Sequence, residues 1–300
     1  MINGIINVYK EPGFTSHDVV NVLRGIAGQR KIGHTGTLDP DAEGVLVVCL
    51  GKATKVSDML TDSDKTYRAR VLLGCTTDTL DTSGEVIDRC DIIPPEEEIV
   101  STIMSFKGEI EQVPPMYSAI RVGGKRLYEL AREGKEVERK SRRITIYDIE
   151  VNRIDVPYVE ITVSCSKGTY IRTLCADIGE KLGCGACMDH LLRTRAAGFD
   201  VSDSHKLSEI EEIFKSGRQG DIILGTDVVF KGYPRVSFVN DAEKRASNGN
   251  PLSPEDIFEE TDLNNGDVVR VYDPSGDFYG IYAYDERIDA LRPQKIFKEL

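Results

Sequence analysis

The sequence predicts an α+β fold with a small β-rich domain at its C-terminal end. Helical and strand patterns alternate irregularly over residues 1–230, without the regular βαβ order of a doubly wound sheet. After residue 230, short β-like runs at 268–272 and 278–284 alternate with Asn-Gly and Pro-Ser-Gly turns. We therefore place a domain boundary near residue 230, which divides the chain into residues 1–230 and 231–300.

In the first 73 residues, the patterns predict strands around one helix and a glycine-rich loop. Two apolar runs and one alternating run indicate strands at residues 4–9, 45–50 and 65–73. In the alternating run, Tyr67 falls on the apolar face. Apolar residues recur at helical spacing after Ser16, so we expect that serine to cap a helix. Residues 31–44 form the glycine-rich loop.

Further along the chain, the same criteria predict a pair of strands and several helices. The strands are expected at residues 144–154 and 159–165, and the helices at residues 125–132, 169–182 and 206–215. Pro95, followed by three glutamates, is typical of a helix start. Thr169 is expected to cap the helix that carries Arg172.

Charge is distributed unevenly over the 300 residues. The chain has 38 Lys and Arg against 50 Asp and Glu, a net charge of −12, which argues against a generic nucleic-acid binder. However, residues 74–100 and 251–290 carry −7 and −9, so the remaining residues carry +4. Residues 121–147 alone carry +5. The sequence therefore predicts one face that meets nucleic acid, with both acidic segments turned away from it or capping its ends.

Neither the N-terminal residues nor any apolar run has the pattern of a targeting or membrane segment. The start lacks a basic region followed by an apolar one, and the longest apolar run covers only residues 45–50. Seven scattered cysteines without a signal favour reduced thiols, hence a cytoplasmic protein. Cys184 and Cys187 have zinc-ligand spacing, but the chain offers no second such pair, so we expect no metal.

The densest candidate site is the loop at residues 33–44. Its three glycines allow tight turns and close approach of the backbone to a ligand. Asp39 lies between Leu38 and Pro40, which can hold its carboxylate immobile and partly desolvated, as a nucleophile or general base requires. An ordinary loop in which Asp39 forms an Asx-turn is the alternative.

Arg172 and Tyr67 are further candidates. A cation in the first turn of a helix is locally unfavourable by about 0.3–1 kcal/mol, which a buried carboxylate partner would offset. The alternative interpretation is that Arg172 faces solvent and has no such partner. Tyr67 is either a core tyrosine or a stacking platform for a base. The basic stretch at residues 121–147 is either a nucleic-acid arm or a solvated helix face with Glu–Lys pairs.

Several of these segments together resemble one family. Residues 33–40 (GHTGTLDP) resemble the signature of the TruB family of pseudouridine synthases. Residues 10–16 (KEPGFTS) are similar to its N-terminal box, with the proline one position later than in that pattern, and we therefore assign Lys10 no role. Further similar motifs follow in the family's order at residues 65–69 (KTYRA), 115–119 (PMYSA), 124–129 (GKRLYE) and 167–172 (KGTYIR).

The resemblance implies a fold and an activity. The fold would be a largely antiparallel central sheet flanked by helices, followed by a PUA-like RNA-binding domain at 231–300. The activity would be that of the family's bacterial branch, the isomerisation of uridine 55 in the T-loop of tRNA, with neither cofactor nor metal. The target base would be flipped out of the loop. The protein would be a monomer whose basic stretch clamps the T-arm of tRNA.

The resemblance also assigns roles to residues. Asp39 would be the catalytic aspartate, Arg172 its partner, and Tyr67 would pack on the target uracil and assist proton transfer. The residues that would contact RNA are His34, Tyr170, Leu191, Lys125 and Arg126. Two alternatives remain at this point. One is a non-catalytic RNA-binding protein or tRNA chaperone on the same scaffold. The other is a glycosidase that pairs Asp39 with Asp41 or Glu43.

Overall fold

The computed structural model describes residues 1–259 and 262–297 and contains a large mixed sheet and a smaller C-terminal one. In chain order, the strands are β1 (Gly4–Lys10), β2 (Ile32–His34), β3 (Glu43–Leu50), β4 (Lys65–Leu73), β5 (Cys75–Thr77), β6 (Val86–Arg89), β7 (Gly108–Gln112), β8 (Arg121–Val122), β9 (Lys125–Arg126), β10 (Arg142–Asp155), β11 (Tyr158–Cys165), β12 (Ala186–Ala196), β13 (Phe199–Asp200), β14 (Arg235–Ser237), β15 (Val268–Tyr272), β16 (Phe278–Asp285) and β17 (Ala290–Ile296).

The helices are short and lie between the strands without a regular alternation. They are α1 (Ser16–Ala27), α2 (Ser57–Thr61), α3 (Glu96–Met104), α4 (Leu127–Arg132), α5 (Ile171–Leu182), α6 (Leu207–Lys215) and α7 (Glu243–Ser247). A 3₁₀ helix at Gly51–Val56 leads into α2. The irregular mixture confirms the predicted α+β class.

The large sheet is antiparallel at every junction but one. Its strands are ordered β1-β3-β12-β4-β11-β10-β7, with β2 added to β3 and β13 to β12. The exception is the parallel pair of β3 and β12, in which Arg193 lies opposite Gly44. β4 pairs with β12 on one side and with β11 on the other, so it lies at the centre of the sheet.

Buried and exposed side chains alternate along β4, which shows which face of the sheet the helices cover. Tyr67, Ala69, Val71 and Leu73 are buried, whereas Arg68 and Arg70 are exposed, as their period of two predicts. The buried face packs against α3 and α5 in the main core. A second core forms where α1 and α6 pack on β1 and β3. Burial of these apolar faces supplies the main driving force for the fold.

Four helix starts differ from the sequence prediction by one or two residues, and α6, which begins at Leu207 instead of residue 206, is the simplest case. Thr15, not Ser16, caps α1, and its side chain forms a capping box with Asp18. Tyr170 precedes the first residue of α5, while the predicted cap, Thr169, donates its hydroxyl to the Ser166 carbonyl. Helix α4 begins at Leu127 instead of residue 125, because the two residues before it pair with β8 as a short hairpin. A local side-chain hydrogen bond sets the start of α1, whereas Tyr170 before α5 makes no side-chain cap.

The C-terminal sheet has its own core. It is ordered β14-β15-β16-β17, and its buried residues include Val236, Phe238 and Tyr282. A separate cluster joins it to the large sheet, where Phe230, Ile281 and Phe297 pack with residues of β1 and β3. None of the helices in the described ranges is long and apolar enough to cross a membrane.

Candidate active site

Asp39, in the loop between β2 and β3, forms an ion pair with Arg172 of α5. The Arg172 Nε atom lies 2.9 Å from Asp39 Oδ2, and its Nη2 lies 3.2 Å from Oδ1, so the guanidinium grips both carboxylate oxygens. The Arg172 side chain is only 6% exposed, whereas that of Asp39 is 41% exposed. A planar fork holds a carboxylate in a defined orientation. The open side of Asp39 therefore remains available to a ligand.

Arg172 is itself held in place by three further groups. It donates to the Thr79 carbonyl at 3.1 Å and to the Tyr117 carbonyl at 2.7 Å. Asp81 Oδ2 lies 3.5 Å from its Nη1. Asp81 belongs to the acidic segment 74–100, so that segment reaches the site rather than staying remote from it. The cation in the first turn of α5 is thus compensated by two carboxylates, so of the two readings open for Arg172 the structure favours the paired one over the solvent-facing one.

The groups around Asp39 shift the pKa of its carboxyl in opposite directions. Desolvation raises the pKa of the Asp39 carboxyl above its ordinary value, and the negative charge of Asp81 adds to this. The Arg172 guanidinium opposes the rise, because it stabilises the ionised form. An Asp39 carboxylate that is partly desolvated and paired with arginine is chemically suited to act as a nucleophile or as a base.

The loop that carries Asp39 is anchored on both sides. Before Asp39, the Leu38 amide donates to the hydroxyl of Ser16 at 2.9 Å. After it, the buried Lys10 ammonium donates to the carbonyls of Pro40, at 2.8 Å, and of Ala42. Desolvation lowers the pKa of Lys10 to about 8. Ser16 and Lys10 therefore hold the loop that carries Asp39, a role that the displaced proline in residues 10–16 had obscured.

A third anchor is Arg193 on β12, whose side chain lies beneath the loop. Its Nε donates to the Val45 carbonyl at 2.7 Å, and its terminal nitrogens donate to the carbonyls of Gly36 at 3.1 Å and Thr37 at 3.4 Å. Arg193 is 1% exposed. Sequence reasoning missed it, because Arg193 is one of several polar residues of β12 and nothing in the sequence marks it as the buried one.

Tyr67 lies opposite Arg193 in the sheet. It is 8% exposed and belongs to the main core together with Leu38 and Leu191. Desolvation raises the pKa of the Tyr67 hydroxyl, whereas the neighbouring Arg193 cation lowers it. The fold thus brings Tyr67 and Leu191, two predicted site residues, to the loop that carries Asp39.

His34 and Tyr170 flank the site. Desolvation lowers the pKa of His34, at the end of β2, and its Nδ1 is buried without a hydrogen-bond partner among the described residues. The backbone of Tyr170 exchanges two hydrogen bonds, of 2.8 and 3.0 Å, with the side-chain amide of Gln112. Gln112 therefore fixes the start of α5, two residues before Arg172. Sequence reasoning had not singled out Gln112.

One backbone hydrogen bond links the basic stretch to the chain beside Arg172. The Tyr128 amide donates to the Ser118 carbonyl at 3.1 Å, next to the Tyr117 carbonyl that Arg172 binds. Lys125 and Arg126 are exposed and lie further out, where Lys125 pairs with Glu133 at 2.7 Å and Arg126 donates to the Tyr128 hydroxyl at 2.9 Å. The structure does not bring these two predicted RNA contacts into the Asp39 pocket.

Two other chemistries have less support in the geometry. The Glu43 carboxylate accepts the Tyr9 hydroxyl at 2.7 Å and lies 2.9 Å from His190 Nε2, so both of its oxygens are engaged away from Asp39. This weakens the pairing of Asp39 with Glu43 in the glycosidase alternative. Across residues 1–259 and 262–297, no group of three or more His, Cys, Asp or Glu side chains is arranged to hold a metal ion.

Solved structures with this fold include an RNA-bound assembly. A chain in the structure of an H/ACA RNP bound to a substrate RNA containing 2′-deoxyuridine matches with a TM-score of 0.73 and 26% identity, over 99% of this chain and 85% of that one. A chain of a Cbf5-Nop10-Gar1 complex matches with a TM-score of 0.73 and 28% identity, over 98% and 85%. The predicted fold, that of the pseudouridine synthases, is confirmed.

Sequence comparison then defines the family. Residues 24–171 match the N-terminal domain model of TruB family pseudouridylate synthases, and residues 172–225 match the model of the tRNA pseudouridylate synthase B C-terminal domain. Proteins named tRNA pseudouridine synthase B are 48% identical in Lachnoclostridium phytofermentans, over 99% of this chain and 100% of the relative, and 40% identical in Bacillus pumilus, over 100% and 99%. The chain belongs to the TruB family.

Proposed function

We propose that this protein isomerises uridine to pseudouridine at position 55, in the T-loop of tRNA. The observation that carries the proposal is the half-open Asp39 carboxylate, held by the buried Arg172 fork above Tyr67, in a chain of the TruB family. Binding alone does not require a carboxylate that is oriented and desolvated in this way. The arrangement therefore favours catalysis over a purely RNA-binding role.

The reaction rearranges one base and consumes no second substrate. The N1–C1′ bond of the uridine breaks, and a bond between C5 and C1′ forms. The proton at C5 is lost, and N1 gains one. Asp39 supplies the negative charge that assists cleavage at the ribose, and Arg172 keeps the carboxylate oriented and ionised. Tyr67 packs on the flipped uracil and assists proton transfer.

The rest of the molecule is assigned to RNA binding. We propose that His34, Tyr170 and Leu191 line the pocket around the extruded nucleotides, and that residues 121–147, with Lys125 and Arg126, clamp the T-arm. Exposed cations on a short hairpin and helix suit electrostatic contact with phosphates. In this proposal the catalytic domain covers residues 1–230, a PUA-like RNA-binding domain covers residues 231–300, and the protein acts as a cytoplasmic monomer.

Tritium release tests the activity. Purified protein is incubated with tRNA transcript labelled with tritium at uracil C5, and released tritium is counted while pseudouridine is mapped in the product. We expect stoichiometric release and a single modified position, 55. The Asp39→Asn variant should bind tRNA but release no tritium. Asp41 is an exposed neighbour in the same loop, and the Asp41→Asn variant should release tritium at the unchanged rate.

Three results would contradict the proposal. Full activity in Asp39→Asn would remove the catalytic role of Asp39. Modification outside the T-loop would refute the stated specificity. Tight tRNA binding with no tritium release by the unmodified protein would support the non-catalytic RNA-binding alternative instead.

A further inference from the structure

Arg193 is a buried cation that is surrounded by backbone carbonyls. Its side chain is 1% exposed, and its three hydrogen bonds end on Val45, Gly36 and Thr37. Within the described part of the chain, it forms no ion pair with a carboxylate. Burying a charge without a counter-ion is costly, and three carbonyl dipoles offset this cost only in part.

The position of Arg193 joins three elements of the site. On β12 it lies opposite Tyr67 of β4, and on its other side opposite Gly44 of β3. The carbonyls of Gly36 and Thr37, which it binds, precede Asp39 by three and two residues. One guanidinium therefore connects the strand of Tyr67 to the loop of Asp39.

Electrostatics supports the same connection. The Arg193 cation lowers the pKa of the Tyr67 hydroxyl and that of His34, although desolvation is the largest cause of the shift in both groups. Its positive charge therefore acts on two groups that line the proposed pocket. A neutral side chain at this position would remove both effects.

We propose that Arg193 is a positioning residue for the isomerisation, and that it fixes the loop of Asp39 relative to Tyr67 so that both face the same uridine. The inference rests on the proposed function. Arg193 acts through backbone carbonyls and Tyr67 and does not touch the substrate. Small displacements of reacting groups are expensive, since a shift of about 1 Å can cost on the order of 100-fold in rate.

The test uses Arg193→Lys and Arg193→Ala in the full-length protein. Lysine keeps the cation, but a single ammonium cannot reproduce a planar fork that reaches three carbonyls. We expect the single-turnover rate of tritium release to fall about 10- to 100-fold in Arg193→Lys, while the Kd for tRNA stays within about twofold. In Arg193→Ala, guanidinium ion at millimolar concentration should restore part of the lost rate, and sodium ion should not.

Arg195→Lys is the matched control, since Arg195 lies on the same strand but is exposed. It should release tritium at the rate of the unmodified protein. An unmodified protein that releases no tritium would contradict the proposed function. An active unmodified protein with Arg193→Lys within twofold of it would overturn the positioning role alone. Loss of both tRNA binding and the thermal unfolding transition in both variants would overturn it as well, because Arg193 would then maintain the fold.

Discussion

Replacing Arg172 by lysine separates its charge from its geometry. In the structure Arg172 contributes two hydrogen bonds to Asp39, of 2.9 and 3.2 Å, and one each to the Thr79 and Tyr117 carbonyls. A lysine ammonium keeps the positive charge but cannot hold both carboxylate oxygens in one plane. At least one charge-assisted hydrogen bond to Asp39 is therefore lost, and hydrogen bonds to charged groups contribute about 1.5–3 kcal/mol.

If this hydrogen bond stabilises the transition state, the free energy lost with it gives the expected fall in rate. Each 1.4 kcal/mol corresponds to a factor of about ten, so Arg172→Lys should lower the single-turnover rate roughly 10- to 150-fold. Tritium release from tRNA in excess enzyme measures that rate, and filter binding measures the Kd, which should change little. Lys181→Arg, on the exposed face of the same helix, is the control and should retain full activity.

The reasoning would be refuted in either of two ways. Arg172→Lys with more than half of the unmodified rate would show that the charge alone suffices and that the fork has no catalytic role. An unchanged single-turnover rate at saturating enzyme, with a large rise in Kd, would show that Arg172 binds RNA instead of orienting Asp39.

Three further predictions follow from the same geometry. Because desolvation raises the pKa of Asp39, the rate should fall on acidification at a higher pH than for an ordinary aspartate, and a flat acid limb would contradict an ionised Asp39. Gly44→Ala should destabilise the fold by about 1–3 kcal/mol in thermal unfolding, since Gly44 has φ +103° and a Cβ there would lie 2.3 Å from the Arg193 carbonyl oxygen. Its control, Gly25→Ala, meets open space in α1 and should not destabilise. Affinity for tRNA should fall as salt rises, and neutralising cations in residues 121–147 should weaken that dependence; an unchanged slope would remove the clamp role.

Much of the fold was predictable, because it depends on local periodicity. The alternation around Tyr67 predicted which face of β4 is buried, and the run at 45–50 predicted a buried strand. The predicted helix starts were less accurate. The residue before α1 is Thr15 instead of Ser16, and the residue before α5 is Tyr170 instead of Thr169. At α1 neighbouring polar residues compete for the cap, and at α5 the residue before the helix is held by Gln112, which is distant along the chain.

The site was predictable only where a motif carried it. Asp39, Tyr67 and Arg172 stand in motifs that resemble the family, and the structure brings all three to one region. Asp81 and Gln112 stand outside those motifs and were missed. Each contributes through a partner that is distant along the chain, namely Arg172 for Asp81 and Tyr170 for Gln112.

By itself, the sequence determined the α+β class and the buried faces of the main strands, and through its resemblance to a family it singled out the three residues of the proposed catalytic group. Periodicity and short motifs are local properties, so they can be read along one chain. The tertiary structure decided what holds those residues in place, including Lys10 and Arg193 beneath the loop of Asp39. Their acceptors are backbone carbonyls, which are the same chemical group at every position. Only the folded chain therefore shows which carbonyls a buried cation binds.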